Sequence, residues 1–91
     1  MSQRAVVVVY TRAGCVYCSR LMALLAREEI TFTHHDLSGD DAGRARLAEA
    51  SGQGTVPQVF INQVPVGGYT DVEALRRRGE LARLLAEAPS S

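Results

Sequence analysis

Cys15 and Cys18, within the stretch TRAGCVYCSR, are the only two cysteines of this 91-residue chain, and they stand three positions apart. A pair at this spacing can staple a fold, supply half of a tetrahedral metal site, or cycle between dithiol and disulfide. On a helix, residues three apart share a face and fall within the Cα separation of roughly 4–7 Å that a disulfide accepts. A reversible bond is therefore geometrically easy. Cys15 falls where the helix should begin, so unpaired backbone N–H groups and the positive end of the helix dipole favour its thiolate. Arg12, three residues upstream, adds positive charge. Cys18, one turn into the helix, loses most of that help and should be more buried. The expectation is that Cys15 is the nucleophile and Cys18 the resolving thiol.

Zinc is the chemical rival, because His34 and His35 complete a set of two cysteines and two histidines. The histidines are adjacent on an expected strand, so their side chains point to opposite faces and cannot easily share one ion. No metal is expected, and the pair reads as a polar strand end. A permanent staple depends on the compartment. The N-terminal MSQRAVVVVY carries one basic residue and a short valine run with no small-residue cleavage site after it, which does not match a secretory leader. A cytoplasmic, reducing setting is expected, where a lone CxxC is more often catalytic or metal-binding than a fixed crosslink.

Composition bounds the rest. Ten basic residues, all arginine, balance ten acidic ones, which argues against nucleic acid or an anionic membrane as partner. No apolar run approaches the roughly 20 residues that span a bilayer. The reading is one soluble domain over residues 1–91, near the lower end of sizes that bury a self-sufficient core.

The elements that must position the cysteines follow from periodicity. Ala5 to Tyr10 is a continuous β-branched run suited to a strand buried on both faces. Val16 to about Glu29 takes helical spacing, with Leu21, Met22, Leu24 and Leu25 on one side. Ile30 to His35 alternates with period two and reads as a second strand. Strand, helix and strand in about thirty residues form a right-handed βαβ unit, with CxxC at its first strand-to-helix turn. Asp40 and Asp41 can cap a second helix, stopped by Ser51-Gly52. Pro57 opens the strand QVFI, and Asn62-Gln63 turns it into Val64 to Val66 as a hairpin broken by Gly67-Gly68. The Thr-x-x-Glu spacing of Thr70 and Glu73 predicts a capping box and a third helix carrying Val72 and Leu75 inward, interrupted at Gly79 and continued by Leu81, Leu84 and Leu85. Arg76, Arg77 and Arg78 read as a solvated face with Glu73–Arg77 and Arg76–Glu80 pairs. Pro89 to Ser91 should fray.

The order CVYC, TVPQVFI, GGYTD resembles the dithiol glutaredoxins over essentially the whole chain, and the absence of tryptophan separates it from thioredoxin. The resemblance implies an α/β thioredoxin-like fold, a four-stranded mixed sheet in the order βαβ-α-ββ-α flanked by helices, with a cis Val56–Pro57 bond. It implies a glutathione-dependent thiol–disulfide oxidoreductase acting on glutathionylated or disulfide-containing proteins, ribonucleotide reductase among the candidates, and a monomer. Position by position, Arg12 and Arg44 match residues that reach the glycine carboxylate of glutathione, and Tyr17 the aromatic lining its groove. Thr55, Val56 and Pro57 match the contacts to its cysteinyl part. Gly68, Thr70 and Asp71 match the helix start that takes its γ-glutamyl end. Val16 replaces a common proline, Gln53 a residue that is often basic, and Tyr69-Thr70 a small residue and aspartate. Within the same fold, a redoxin fed by thioredoxin reductase or mycothiol and an iron–sulfur carrier bridging two protomers through Cys15 and glutathione are the alternatives.

Overall fold

The computed structural model describes residues 3–89; of the segment expected to fray, Ser90 and Ser91 lie outside them. Its elements run β1 (Val7–Thr11), α1 (Val16–Arg27), β2 (Thr33–Asp36), α2 (Asp41–Ser51), β3 (Gln58–Ile61), β4 (Val64–Gly67), α3 (Tyr69–Arg77) and α4 (Glu80–Ala86). The four strands form one mixed sheet in the order β2-β1-β3-β4, with β1 parallel to β2 and antiparallel to β3.

β1 is central because its side chains alternate between fully and partly buried, with Val7, Val9 and Thr11 on the buried face. That face meets α1, whose Leu21, Leu24 and Leu25 are at most 1% exposed and join Val59, Ile61, Val72 and Leu81 in one core. Each such leucine stabilises the fold by roughly 1.5–3 kcal/mol. Met22 packs partly buried against this core, as a gap filler would. Among the described residues no helix is long and apolar enough to cross a membrane.

The β3–β4 hairpin turns through Asn62 and Gln63, with φ of 51° and 69°. Two consecutive left-handed residues give the turn the twist that a tight hairpin needs. Asn62 also stitches: its N–H donates to the Val6 carbonyl at 2.8 Å, its Oδ1 accepts the Val6 N–H at 2.9 Å, and its Nδ2 donates to the Glu87 carbonyl at 3.0 Å.

Three expectations are corrected. The second strand is shorter and later than Ile30–His35, and all four of its residues are exposed. Ile30 belongs to the end of α1 instead: its N–H donates to Leu25 O at 2.9 Å and that of Glu29 to Ala26 O at 3.1 Å, a Schellman closure with Ile30 buried in the core. Thr31 is held by the Gln3 side chain, not by a neighbouring strand.

The third helix starts earlier than the Thr70–Glu73 box predicts. Gly68 is its N-cap residue, and the Asp71 carboxylate accepts the Gly68 N–H at 3.0 Å. Asp71, not Glu73, occupies the third helical position and reaches back. Glu73 binds Arg76 at 2.7 Å and Arg77 at 3.3 Å, which holds its carboxyl down at about 2, below the usual range. The expected Arg76–Glu80 pair is not made. Gly79, at φ 75°, separates α3 from α4 and turns Glu80 toward Arg78, 3.2 Å away.

Glu29 carries φ 56° at the Schellman position where glycine is the usual residue. The left-handed conformation costs a non-glycine residue about 1–2 kcal/mol, and glycine's extra chain entropy offsets about half of that. Glu29→Gly should therefore raise the urea midpoint by an equivalent of about 0.5–1 kcal/mol, whereas Glu29→Ala, which keeps the strain, should give no gain.

Candidate functional site

β1 ends at Thr11 and a four-residue segment carries the chain to α1, with Gly14 at φ 74° making the turn that L side chains rarely allow. Cys15 is the N-cap of α1. Its backbone is extended, φ −99° and ψ 113°, and its sulfur accepts the Cys18 N–H at 3.1 Å. Sulfur here does what a serine or aspartate oxygen does at other helix starts, and a negative acceptor strengthens the bond. No acidic residue lies in the first turn to oppose it. Cys15 is half-buried, with its sulfur 3.8 Å from the Val56 carbonyl oxygen, and the Val56–Pro57 bond is cis.

Cys18 is 4% exposed. Burial pushes its thiol up to about 11, and the neighbouring Cys15 sulfur adds to the rise. The backbone N–H of Arg12 acts in the other direction by donating to the Cys18 sulfur. Both cysteines are free thiols. His34 and His35 diverge as strand geometry requires: His34 bonds Thr11 at 2.6 Å on the buried face, and His35 stacks on Tyr10 at 5.2 Å on the other.

Two clefts flank the start of α1. One, of about 250 Å³, gathers Tyr17, Thr55, Val56, Pro57, Gly68, Thr70 and Asp71, seven of the expected site residues, together with Gln53, Gln58 and Tyr69. The other, open and about 640 Å³, gathers Arg12, Cys15 and Cys18 with Thr11, Ser19 and Met22. Arg44 lies exposed on α2 and lines neither. Gly67 and Gly68 shape the first cleft: a Cβ on Gly68 would come within 3.1 Å of the Pro57 carbonyl, and one on Gly67, at φ 111°, would run into the Asp71 carboxylate.

Two residues at the site, Arg20 and Gln58, were not singled out from sequence. Tyr17, 53% exposed, has the Arg20 guanidinium 5.3 Å above its ring and Tyr69 at 6.2 Å. The i,i+3 spacing of Tyr17 and Arg20 is the signal that could have found that contact. Gln58, 2% exposed, donates to Gln53 Oε1 at 3.1 Å and Thr55 Oγ1 at 3.4 Å, fixing the cleft wall. No local spacing signals that pairing.

Known proteins share this arrangement. The family model described as Glutaredoxin matches residues 7–66. A glutaredoxin of Pseudomonas aeruginosa is 44% identical over 80 residues, 88% of this chain and 95% of its own. The solution structure of glutaredoxin from Brucella melitensis superposes with a TM-score of 0.81 at 45% identity, covering 93% of this chain and 92% of its own. A buckwheat glutaredoxin–glutathione complex gives 0.81 at 33% identity, covering 89% and 76%. Fold and dithiol together define the thioredoxin-like class of thiol–disulfide oxidoreductases. Within that class, the chain belongs to the glutaredoxin family.

The two thiols should separate by alkylation. Iodoacetamide near pH 7 should label half-exposed Cys15 alone, and Cys18 only as pH climbs toward about 11 or after unfolding, as read by peptide mass mapping. Equal labelling at pH 7 would contradict the buried placement of Cys18. Gly67→Ala should destabilise the fold by about 1–3 kcal/mol in urea titration, because the backbone there is left-handed and the Asp71 carboxylate blocks the added methyl.

Proposed function

We propose that the protein reduces protein–glutathione mixed disulfides and protein disulfides with glutathione as electron donor. The observation that carries this reading is the position of the Cys15 sulfur, 3.8 Å from the Val56 carbonyl and beside a cleft whose far wall is the start of α3. Three features there suit the three parts of glutathione. The Val56 backbone can pair with the cysteinyl portion as an added strand does. The α3 start, with Thr70 and Asp71, offers backbone N–H groups to the γ-glutamyl carboxylate and a carboxylate to its amino group. The Arg12 guanidinium is a fork for the glycine carboxylate, and Tyr17 walls the cleft. Arg44, exposed on α2, would reach the same carboxylate only by extending its side chain toward the clefts. The glutathione carried by the buckwheat relative supports the assignment.

In the first step the Cys15 thiolate attacks the glutathione sulfur of a mixed disulfide. The Cys15–glutathione bond forms, the protein–glutathione bond breaks, and the protein sulfur leaves as a thiolate that takes a proton from water. A second glutathione thiolate then attacks the bound glutathione sulfur, releasing glutathione disulfide and restoring Cys15. With a protein disulfide, Cys15 forms the mixed disulfide and Cys18 displaces the protein thiol, closing Cys15–Cys18. Capture of Cys15 in a mixed disulfide removes the neighbouring charge and hydrogen bond that help hold the Cys18 proton, so the resolving thiol becomes easier to ionise at the moment it is needed. The working unit in this reading is one monomeric domain in the cytoplasm, with ribonucleotide reductase a candidate among protein substrates.

The test is NADPH-coupled reduction of a glutathionylated peptide, driven either by glutathione with glutathione reductase or by thioredoxin reductase alone. Turnover is expected only with glutathione; turnover only with thioredoxin reductase would overturn the electron donor. Cys15→Ser should abolish reduction of both mixed and protein disulfides, while Cys18→Ser should spare the first and lose the second. Equal loss in both variants would overturn the division of roles.

A further inference from the structure

Thr11 occupies a core position of β1, 5% exposed, in line with Val7 and Val9. A hydroxyl there costs stability unless it is bonded. Its partner is His34 of the neighbouring strand, with Thr11 Oγ1 and His34 Nε2 2.6 Å apart. The register makes this possible: His34 pairs with Val9 across β1–β2, so it projects from the same face as Val9 and Thr11, one diagonal step away.

The same residue is held a second time through its backbone. The Thr11 carbonyl accepts the Leu37 N–H at 2.8 Å. In a planar trans peptide the carbonyl and the following N–H point in opposite directions. Pinning the Thr11 carbonyl toward β2 therefore aims the Arg12 N–H away from β2; Arg12 and Cys18 line one cleft, and the Arg12 backbone acts to lower the Cys18 thiol. An N–H whose own carbonyl is already an acceptor is also a stronger donor.

We infer that His34, acting through Thr11, is a positioning residue for the resolving step: it fixes the Thr11–Arg12 peptide whose N–H supports the Cys18 sulfur as that sulfur becomes a thiolate. The inference rests on the assignment of Cys18 as resolving thiol. The titratable and charged groups around this path are Asp36 on the same strand, whose carboxyl is lowered by Ser38 and in smaller part by His34, and Arg12 and Cys15 at the cleft.

The reaction that reads it is closure. Reduced enzyme is mixed with glutathione disulfide; the Cys15 thiolate takes one glutathione and releases the other. The Cys18 thiolate then attacks the Cys15 sulfur, forming Cys15–Cys18 and expelling glutathione thiolate. Acid quenching and mass measurement follow the closing species over a pH series. His34→Leu should slow closure about threefold to tenfold and displace its pH profile upward, while Cys15-dependent reduction of a glutathionylated peptide stays at the native rate. His34→Gln, which can still bond a hydroxyl, should recover most of the loss. Thr11→Val should match His34→Leu, Thr11→Ser should match the native protein, and the Thr11→Val/His34→Leu double variant should be no slower than either. Closure by His34→Leu at the native rate and pH would overturn the inference, as would proportional loss of both activities. If His34→Leu fails to fold, the Thr11→Val and Thr11→Ser pair decides on the same readout. Cys18→Ser runs alongside: release of the Cys15-bound glutathione at the native rate in that variant would show the resolving assignment itself to be at fault.

Discussion

One sulfur atom has two tasks in this protein. The Cys15 side chain closes the N-terminus of α1 by accepting the Cys18 N–H, and in the reaction proposed above the same lone pairs attack the substrate. A thiolate is a better acceptor than a thiol or a disulfide sulfur, so the cap is firmest when the nucleophile is charged. The cap loosens once the sulfur is spent in a bond. Everything nearby arranges for that atom: β1 delivers the chain to it, Gly14 turns the backbone into it, and the Val56 carbonyl fixes its other side.

The cap itself does not hold the helix. A capping interaction contributes about 1 kcal/mol, whereas three buried leucines of α1 contribute roughly 1.5–3 kcal/mol each. The helix would stay packed with its cap weakened, and that surplus lets a reactive atom stand at its end. The same packing separates the two thiols, because the helical turn that exposes Cys15 carries Cys18 into the interior. Three residues of sequence thus become a difference in access, and burial pushes the Cys18 thiol up.

What was legible in the sequence had local causes. The valine run of β1, the leucine spacing of α1, the tight turn at Asn62-Gln63 and the dithiol itself are set by neighbours within a few residues. Errors arose where two local solutions competed. Both Asp71 and Glu73 could serve as the acid of a capping box, and the choice fell to Asp71 because Gly68 begins the helix and two arginines claim Glu73. Ile30 alternates like a strand residue, yet its N–H completes the closure of α1. The Gln58–Gln53 and Thr11–His34 bonds join segments brought together only by the finished sheet, and no spacing foretells them.

Asn62 lies at the tip of the hairpin, bonded to Val6 at the head of the chain and to Glu87 at its tail. A single amide thereby gathers the first strand, the hairpin and the last helix into one knot, with β1 leading from there to the reactive turn. Opening of that knot would release both ends of the chain together, so amide hydrogens at the entry to β1 and at the close of α4 belong to one cooperative unit. The reactive turn is tied elsewhere, by the Ala13 N–H to Ser38 Oγ and by the Cys15 sulfur against Val56, and so belongs to a different unit.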